Sequence, residues 1–340
     1  MKMPQEHIER IAALGYTEAE ARFLYVVATH SGYFTMRQFN AFAGVSRGKR
    51  SMTFAQKLLK HGHATVRDYM GTGCVFHLFS RLIYGAIEKD NVRNRRRHSF
   101  EYIRTRLVQM DFLLENPEHD FLETENEKIR LFCESLTVPK DVLPAKVYEG
   151  APGSDPTVRY FVDKFPLFLA PPVSTAPPVV TFGYVDSGAG GLRGFVAHLA
   201  AYQGLFRHLK SFRVLYIAPR AKEFLRAEER FRSAIKQPLE FDVSTEILRY
   251  FNVRRKWENH EYVVPVAADF EFLNEARRRF HGERYEALYA AWMAGATSES
   301  ELRLEFSQLT PARTVLFDTY LVRNGHSPID ERLRKRVNGA

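Results

Sequence analysis

Ser46-Arg47-Gly48-Lys49-Arg50-Ser51, with Thr53, Lys57 and Lys60 close behind, gathers cations and hydroxyls into one short stretch. These residue types recognise polyanions. Arginine offers a planar fork that matches guanine, whereas Lys, Ser and Thr mostly hold phosphate oxygens. Arg67 follows beside Met70-Gly-Thr-Gly73, where a turn would bring it to the backbone or minor groove of a duplex. From Gly44 to Arg97 there are 12 Lys or Arg and three acids, Asp68, Glu88 and Asp90. From Asp111 to Ser135 the balance reverses, with eight acids against Lys128 and Arg130. A basic block suits a phosphate-bearing partner because each neutralised phosphate releases a counterion. A solvated basic surface has the same composition, so the weight of the reading rests on the elements that carry these cations.

Two further constellations could do chemistry. His61-Gly-His63 and His77 lie near Cys74, but structural zinc asks for four ligands at defined spacing, and phosphate or solvent contacts suit these histidines better. Asp186-Ser-Gly-Ala-Gly-Gly-Leu-Arg-Gly194 follows one predicted strand and precedes a helix, the position at which Gly-rich loops cradle phosphates. Gly188 and Gly190 fit the dinucleotide fingerprint, Gly194 falls one residue late, and no Walker lysine follows. A strand-to-helix turn accounts for it better.

The elements that must position these residues are legible from periodicity and caps. Thr17-Glu-Ala-Glu20 is a capping box ahead of a helix to Ser31-Gly32, and Thr35-Met-Arg-Gln38 opens a short helix to Gly44. A third helix starts near Ser46 and runs through Met52, Phe54, Ala55, Leu58 and Leu59 to Gly62. Ala64–Tyr69 and Cys74–Phe79 are β-like runs flanking a turn. Helices followed by a hairpin, with the third helix basic, predict a winged helix-turn-helix. In that motif the first turn of the basic helix meets base edges. The expected DNA-contacting set is therefore Ser46, Arg47, Lys49, Arg50, Ser51, Thr53, Lys57, Lys60 and Arg67. Winged helices also dock proteins, so a protein partner is the competing use.

Phe100, Ile103, Leu107, Met110 and Leu114 form one apolar seam of about two and a half heptads. It fits packing within the chain, with a homodimer through the helix at 98–114 as the alternative. Pro- and Gly-bearing stretches at 137–156 mark a boundary. Beyond it, Val158–Asp163 alternates, Pro178–Val185 and Phe212–Ile217 read as strands, and Leu192–Leu209 and Ala221–Ile235 read as helices. This pattern predicts an α/β unit with at least one parallel strand pair. Ala170–Pro178 is expected as an exposed hairpin loop, and the chain from Asp269 as helical with a basic end at 332–336. In this reading Asp163 lies on one strand and Asp186 ends the next.

Val162-Asp163-Lys164-Phe165, Phe182-Gly-Tyr-Val-Asp-Ser187, His198-Leu-Ala-Ala-Tyr202 and Arg213–Pro219 together resemble the replication-relaxation family of mobile elements and plasmids. The resemblance covers roughly residues 10–235. It implies a winged helix followed by a domain like the PD-(D/E)XK, or restriction-endonuclease-like, nuclease core. Such nucleases hold Mg²⁺ with paired acids and place a lysine two residues after the second. Here Tyr184 stands where an acid would help and Gly188 stands where the lysine belongs; Lys164 or Lys210 would have to substitute from elsewhere. The resemblance therefore implies a degenerate, catalytically inactive domain with no cofactor. The alternative is an Mg²⁺-dependent nuclease using Asp163 and Asp186.

The 340 residues are 45% hydrophobic and 26% charged, which excludes a largely disordered or low-complexity chain. The expected class is α+β. It comprises a winged-helix domain at 1–96, a helical linker at 97–137, an α/β nuclease-like domain at 157–268 and a helical C-terminal region at 269–340. Two cysteines cannot build a disulfide framework, the start lacks a signal-peptide core, and no run is long enough to span a bilayer. A cytoplasmic protein with double-stranded DNA as partner and no membrane is expected: a transcriptional regulator, or a replication or mobilisation accessory factor.

Overall fold

The computed structural model describes residues 1–69, 73–89, 93–149, 156–163, 165–169, 179–188, 191–236, 243–261, 267–307 and 314–323. Expectations for the turn tip at 70–72, for Lys164, for 170–178, for Ala189-Gly190 and for 332–336 lie outside them. The chain is mixed α+β and divides into two compact units, 1–234 with 314–340, and 235–313.

The first unit begins with helices α1 (Gln5–Ala12) and α2 (Glu18–His30), strand β1 (Tyr33–Thr35), then α3 (Met36–Ala43) and α4 (Lys49–Lys60). Strands β2 (Ala64–Tyr69) and β3 (Gly73–Leu78) follow, then α5 (Arg81–Ala86) and α6 (Phe100–Glu115). Both anticipated capping boxes form. Thr17 and Glu20 close the start of α2, and Thr35 and Gln38 that of α3. β1, β3 and β2 make an antiparallel sheet in that order. One face, with Ala64, Phe76 and Leu78, joins a core containing Phe23, Phe34, Phe39, Phe54 and Leu58. Phe54 stacks on Phe39 with ring centroids 4.2 Å apart. Replacing Thr35 by Ala removes the oxygen that accepts from the Gln38 amide. It should cost about 1 kcal/mol of stability, read as a lower melting temperature.

β4 (Asp120–Phe121) and α7 (Glu125–Ile129) lead to an exposed ribbon, β5 (Ala145–Tyr148) with β6 (Thr157–Tyr160). The main sheet is completed by β7 (Leu167–Leu169), β8 (Val180–Val185), α8 (Arg193–His208), β9 (Ser211–Ala218) and α9 (Phe224–Lys236). The second unit holds α10 (Val243–Glu258), α11 (Ala267–Arg279), α12 (Glu283–Met293) and α13 (Glu299–Ser307), packed around Ile247, Phe251, Leu273, Tyr289 and Leu302. Then β10 (Thr314–Leu321) returns to the first unit. The five-stranded order is β10-β9-β8-β7-β4. β8, β9 and β10 run parallel, with α8 crossing from β8 to β9, while β7 and β4 are antiparallel.

Three expectations change. The chain after Asp269 is not helical throughout, because Thr314–Leu321, rich in β-branched and aromatic residues, pairs along the whole of β9. The stretch expected as a linker is built into the first unit. One face of α6 places Ile103 and Leu107 on Tyr33, Tyr69 and Val75, while Val108, Phe112 and Leu113 meet Phe121, Phe168 and Ile217 of the main sheet. The seam proposed for a homodimer is thereby covered within the chain. β6 lies outside the main sheet altogether. Buried Phe161 takes φ of 51°, so the chain turns at 161–163 instead of continuing as a strand.

No helix among the described residues is long and apolar enough to cross a membrane.

Candidate nucleic-acid interface

α4 is set by its inner face. Ser51, Phe54 and Leu58 recur at helical spacing and are buried. Ser51 is turned inward, where its hydroxyl donates to the Gly48 carbonyl at 3.0 Å and accepts from the Gly48 amide at 3.2 Å. It organises the helix start and is not offered to a ligand. The opposite face is open. Ser46, Arg47, Lys49, Arg50, Thr53, Gln56 and Lys60 are exposed. Met52 and Leu59, read as part of the apolar stripe, are 63% and 42% exposed and belong to this outer face.

Charge on that face is uncompensated at the helix start and at its last residue. The first turn of α4 carries no acid, and Arg47, Lys49, Arg50 and Lys60 have no carboxylate partner among the described residues. The helix dipole adds positive potential at the same end. Lys57 differs: its ammonium lies 2.6 Å from Glu20 Oε2 and over the Tyr16 ring. It ties α4 to α2, and its charge is already matched.

Arg67 is exposed but points elsewhere. Along β2, Ala64 and Val66 face the core shared with α4. Thr65, Arg67 and Tyr69 alternate to the other face, toward α6. Two of the three histidines are not at solvent as expected. His63 is buried with Nδ1 2.6 Å from the Tyr16 hydroxyl, and His77 is buried with Nε2 3.2 Å from the Asn94 carbonyl. Burial pushes the His77 imidazolium down to about 4, so the ring is neutral near pH 7. His61 is exposed.

The two aspartates expected on neighbouring strands are held in different settings. Asp163 sits in the turn after β6. Its carboxylate receives His198 Nδ1 at 3.0 Å, the Tyr202 hydroxyl at 3.2 Å and the Phe165 amide at 3.2 Å. Burial pushes this carboxyl up, but His198, the Lys128 charge and the Phe165 amide outweigh it and hold it below the ordinary aspartate value. Asp186 lies just past β8. Its two oxygens accept from the Tyr216 hydroxyl at 2.6 Å and from the Gly188 amide at 2.8 Å. A relay of rings connects the two aspartates. His198 meets Tyr184 at 5.4 Å, and Tyr184 stacks on Tyr216 at 5.6 Å. Lys210 precedes β9, at the end of the parallel pair opposite Asp186. Among the described residues no three His, Cys, Asp or Glu side chains group as metal ligands.

Two glycines of the Gly-rich turn have packing reasons. Gly188 has φ of 74°, and a Cβ there would meet Pro219 at 3.3 Å. A Cβ on Gly194 would lie 2.6 Å from the Tyr184 hydroxyl. Met52 and Gln56 belong to the exposed face of α4 although sequence reasoning did not name them there. The signal was present, since fixing Ser51, Phe54 and Leu58 inward sends positions 52 and 56 outward.

A scan against protein-family models and searches of curated proteins and solved structures return no match to this chain.

Proposed function

We propose that this chain binds double-stranded DNA through a winged helix-turn-helix formed by residues 10–90, with α4 as the recognition helix. In this reading it acts as a regulator or as a replication or mobilisation accessory factor. The observation that carries the reading is the outer face of α4. There Arg47, Lys49 and Arg50, around a helix start without acids, and Lys60 at the helix end are exposed and unpaired among the described residues. In this proposal Arg47 and Arg50 read guanine, and Lys49 and Lys60 hold phosphates. Exposed Met52 and Thr53 suit thymine methyl groups.

The α/β part, in the same proposal, is a scaffold that does not cleave DNA. Hydrolysis on paired carboxylates needs both to converge on one reacting phosphate, with a cation beside it. Asp163 and Asp186 are each committed to neighbouring hydroxyl, imidazole or amide donors, with Tyr184 and Tyr216 along the path between them.

Salt dependence provides the test. Titrating a labelled duplex over a range of KCl concentrations should give a steep log–log slope, with about 0.9 lost for each phosphate contact removed. Lys60→Gln should flatten the slope by about one unit. Lys57→Gln should leave it unchanged, because that charge is already matched by Glu20. Plasmid incubated with the protein and Mg²⁺ should stay supercoiled. Cleavage that depends on Asp186 would overturn the scaffold reading, and a salt-insensitive interaction would overturn the DNA reading.

A further inference from the structure

A concavity opens on the face of the β1-β3-β2 sheet turned away from α4, between the hairpin and the start of α6. It is a shallow depression open to solvent, about 330 Å³ with that solvent counted. Tyr33 and His77 stack within it, with ring centroids 4.4 Å apart and planes 12° from parallel. Arg67 and Arg97 contribute its cations, and no carboxylate lines it among the described residues. Neither guanidinium has an acidic partner among those residues. Two like charges that share a concavity without a counterion call for an anionic ligand.

Both arginines stand on fixed backbone. Arg67 lies in mid-strand, paired opposite Val75. Arg97 is held from either side by a single hydroxyl. Tyr33 Oη donates to the Arg96 carbonyl at 3.3 Å and accepts from the His98 amide at 3.1 Å. Upstream, Asn94 Nδ2 donates to the Ala28 and Thr29 carbonyls, and the Asn94 carbonyl meets His77. The 94–98 backbone is therefore clamped onto the sheet, which leaves only the exposed Arg97 side chain to be ordered on binding. The His77 ring, neutral near pH 7, supplies surface rather than charge.

We propose that this concavity is a phosphate-binding pocket in which the Arg67 and Arg97 guanidiniums clamp one phosphate group. Paired guanidiniums match phosphate oxygens in charge and in fork geometry. The aromatic floor lets the remainder of a phosphorylated ligand lie against apolar surface. The phosphate has two sources: a free phosphorylated small molecule, or the backbone of a duplex that wraps past the hairpin. The first is independent of DNA binding by α4, and the second deepens that reading.

Calorimetric titration with adenosine 5′-monophosphate and with inorganic phosphate distinguishes the sources. It should be done on the full chain and on Arg67→Gln, Arg97→Gln and the double variant, alongside titration with duplex. Each single change should weaken binding about tenfold or more, the size expected for losing charge-assisted hydrogen bonds. Saturable mononucleotide binding that both changes weaken supports a free ligand. A loss confined to duplex affinity supports a backbone phosphate. If the double variant binds both phosphate probes and duplex as the parent does, or no probe binds saturably and duplex affinity is unmoved, the pocket is refuted. Should the chain bind no duplex while mononucleotide binding depends on both arginines, the α4 reading falls and the pocket stands. Both side chains are exposed, so circular dichroism should show the fold unchanged.

Discussion

Reversing Lys49 and Arg50 to glutamate should lower affinity for duplex DNA by more than about a hundredfold at roughly 0.1 M salt. Losing the Lys49 phosphate contact costs on the order of 1 kcal/mol of counterion release, and losing an Arg50–guanine contact about 1–3 kcal/mol, together about thirtyfold or more. Reversal also sets two carboxylates against the duplex phosphates at the first turn of α4, adding like-charge repulsion. Both side chains are exposed and unpaired among the described residues, so the fold should shift by no more than about 0.5 kcal/mol. Fluorescence anisotropy with a labelled duplex measures the loss, and hydrogen exchange on α4 controls for folding. Parental affinity in the double variant would remove α4 as the interface.

Asp163→Ala should cost the first unit about 1–3 kcal/mol, the range for leaving buried hydrogen-bonding groups without their partner. The loss strands three groups together. His198 Nδ1 and the Tyr202 hydroxyl lose their acceptor, and Lys128, only 6% exposed, loses the carboxylate that opposes its burial. The pH dependence has a definite sign. Because Asp163 is held below its ordinary value when folded, the unfolded chain takes up that proton first as pH falls. Its contribution is complete above the ordinary aspartate value of about 3.9 and disappears as pH falls toward the folded value. In the alanine variant this component of acid sensitivity should be absent. Trp257 and Trp292, the two tryptophans, both lie in the second unit, so hydrogen exchange of β8 and β9 amides is the suitable readout. Unchanged protection of those strands would show that the cluster carries no such load.

Much of the local structure was legible because its causes are local. Thr17 with Glu20 and Thr35 with Gln38 satisfy helix-end amides within four residues, and the structure closes both boxes as read. The hairpin at 64–78 and the β8-α8-β9 crossover follow from alternation, helical period and the need of parallel strands for a long connection. Thr314–Leu321 was harder. Its residues favour a strand, but its partner lies about a hundred residues upstream and the intervening helices belong to another unit.

At the candidate sites the sequence determined which residue types were present, and where their charge was concentrated along the chain. Whether each charge was free was a tertiary matter. Lys57 and Lys60 are three residues apart on one helix. Glu20 of α2 neutralises the first, while the second has no carboxylate partner among the described residues. Ser51 was expected at a ligand and instead holds the start of its own helix. Arg67 belongs to the basic block by composition, yet strand alternation and the position of α6 put it beside Arg97, across the sheet from α4. Asp163 and Asp186 could be named from the sequence, but the turn at Phe161 and the partners Tyr202, His198 and Tyr216 set their environments. Periodicity and capping act over a few residues and can be read along the chain. Ion pairing, burial and the sharing of a pocket depend on which distant segments meet, and only the folded chain fixes that.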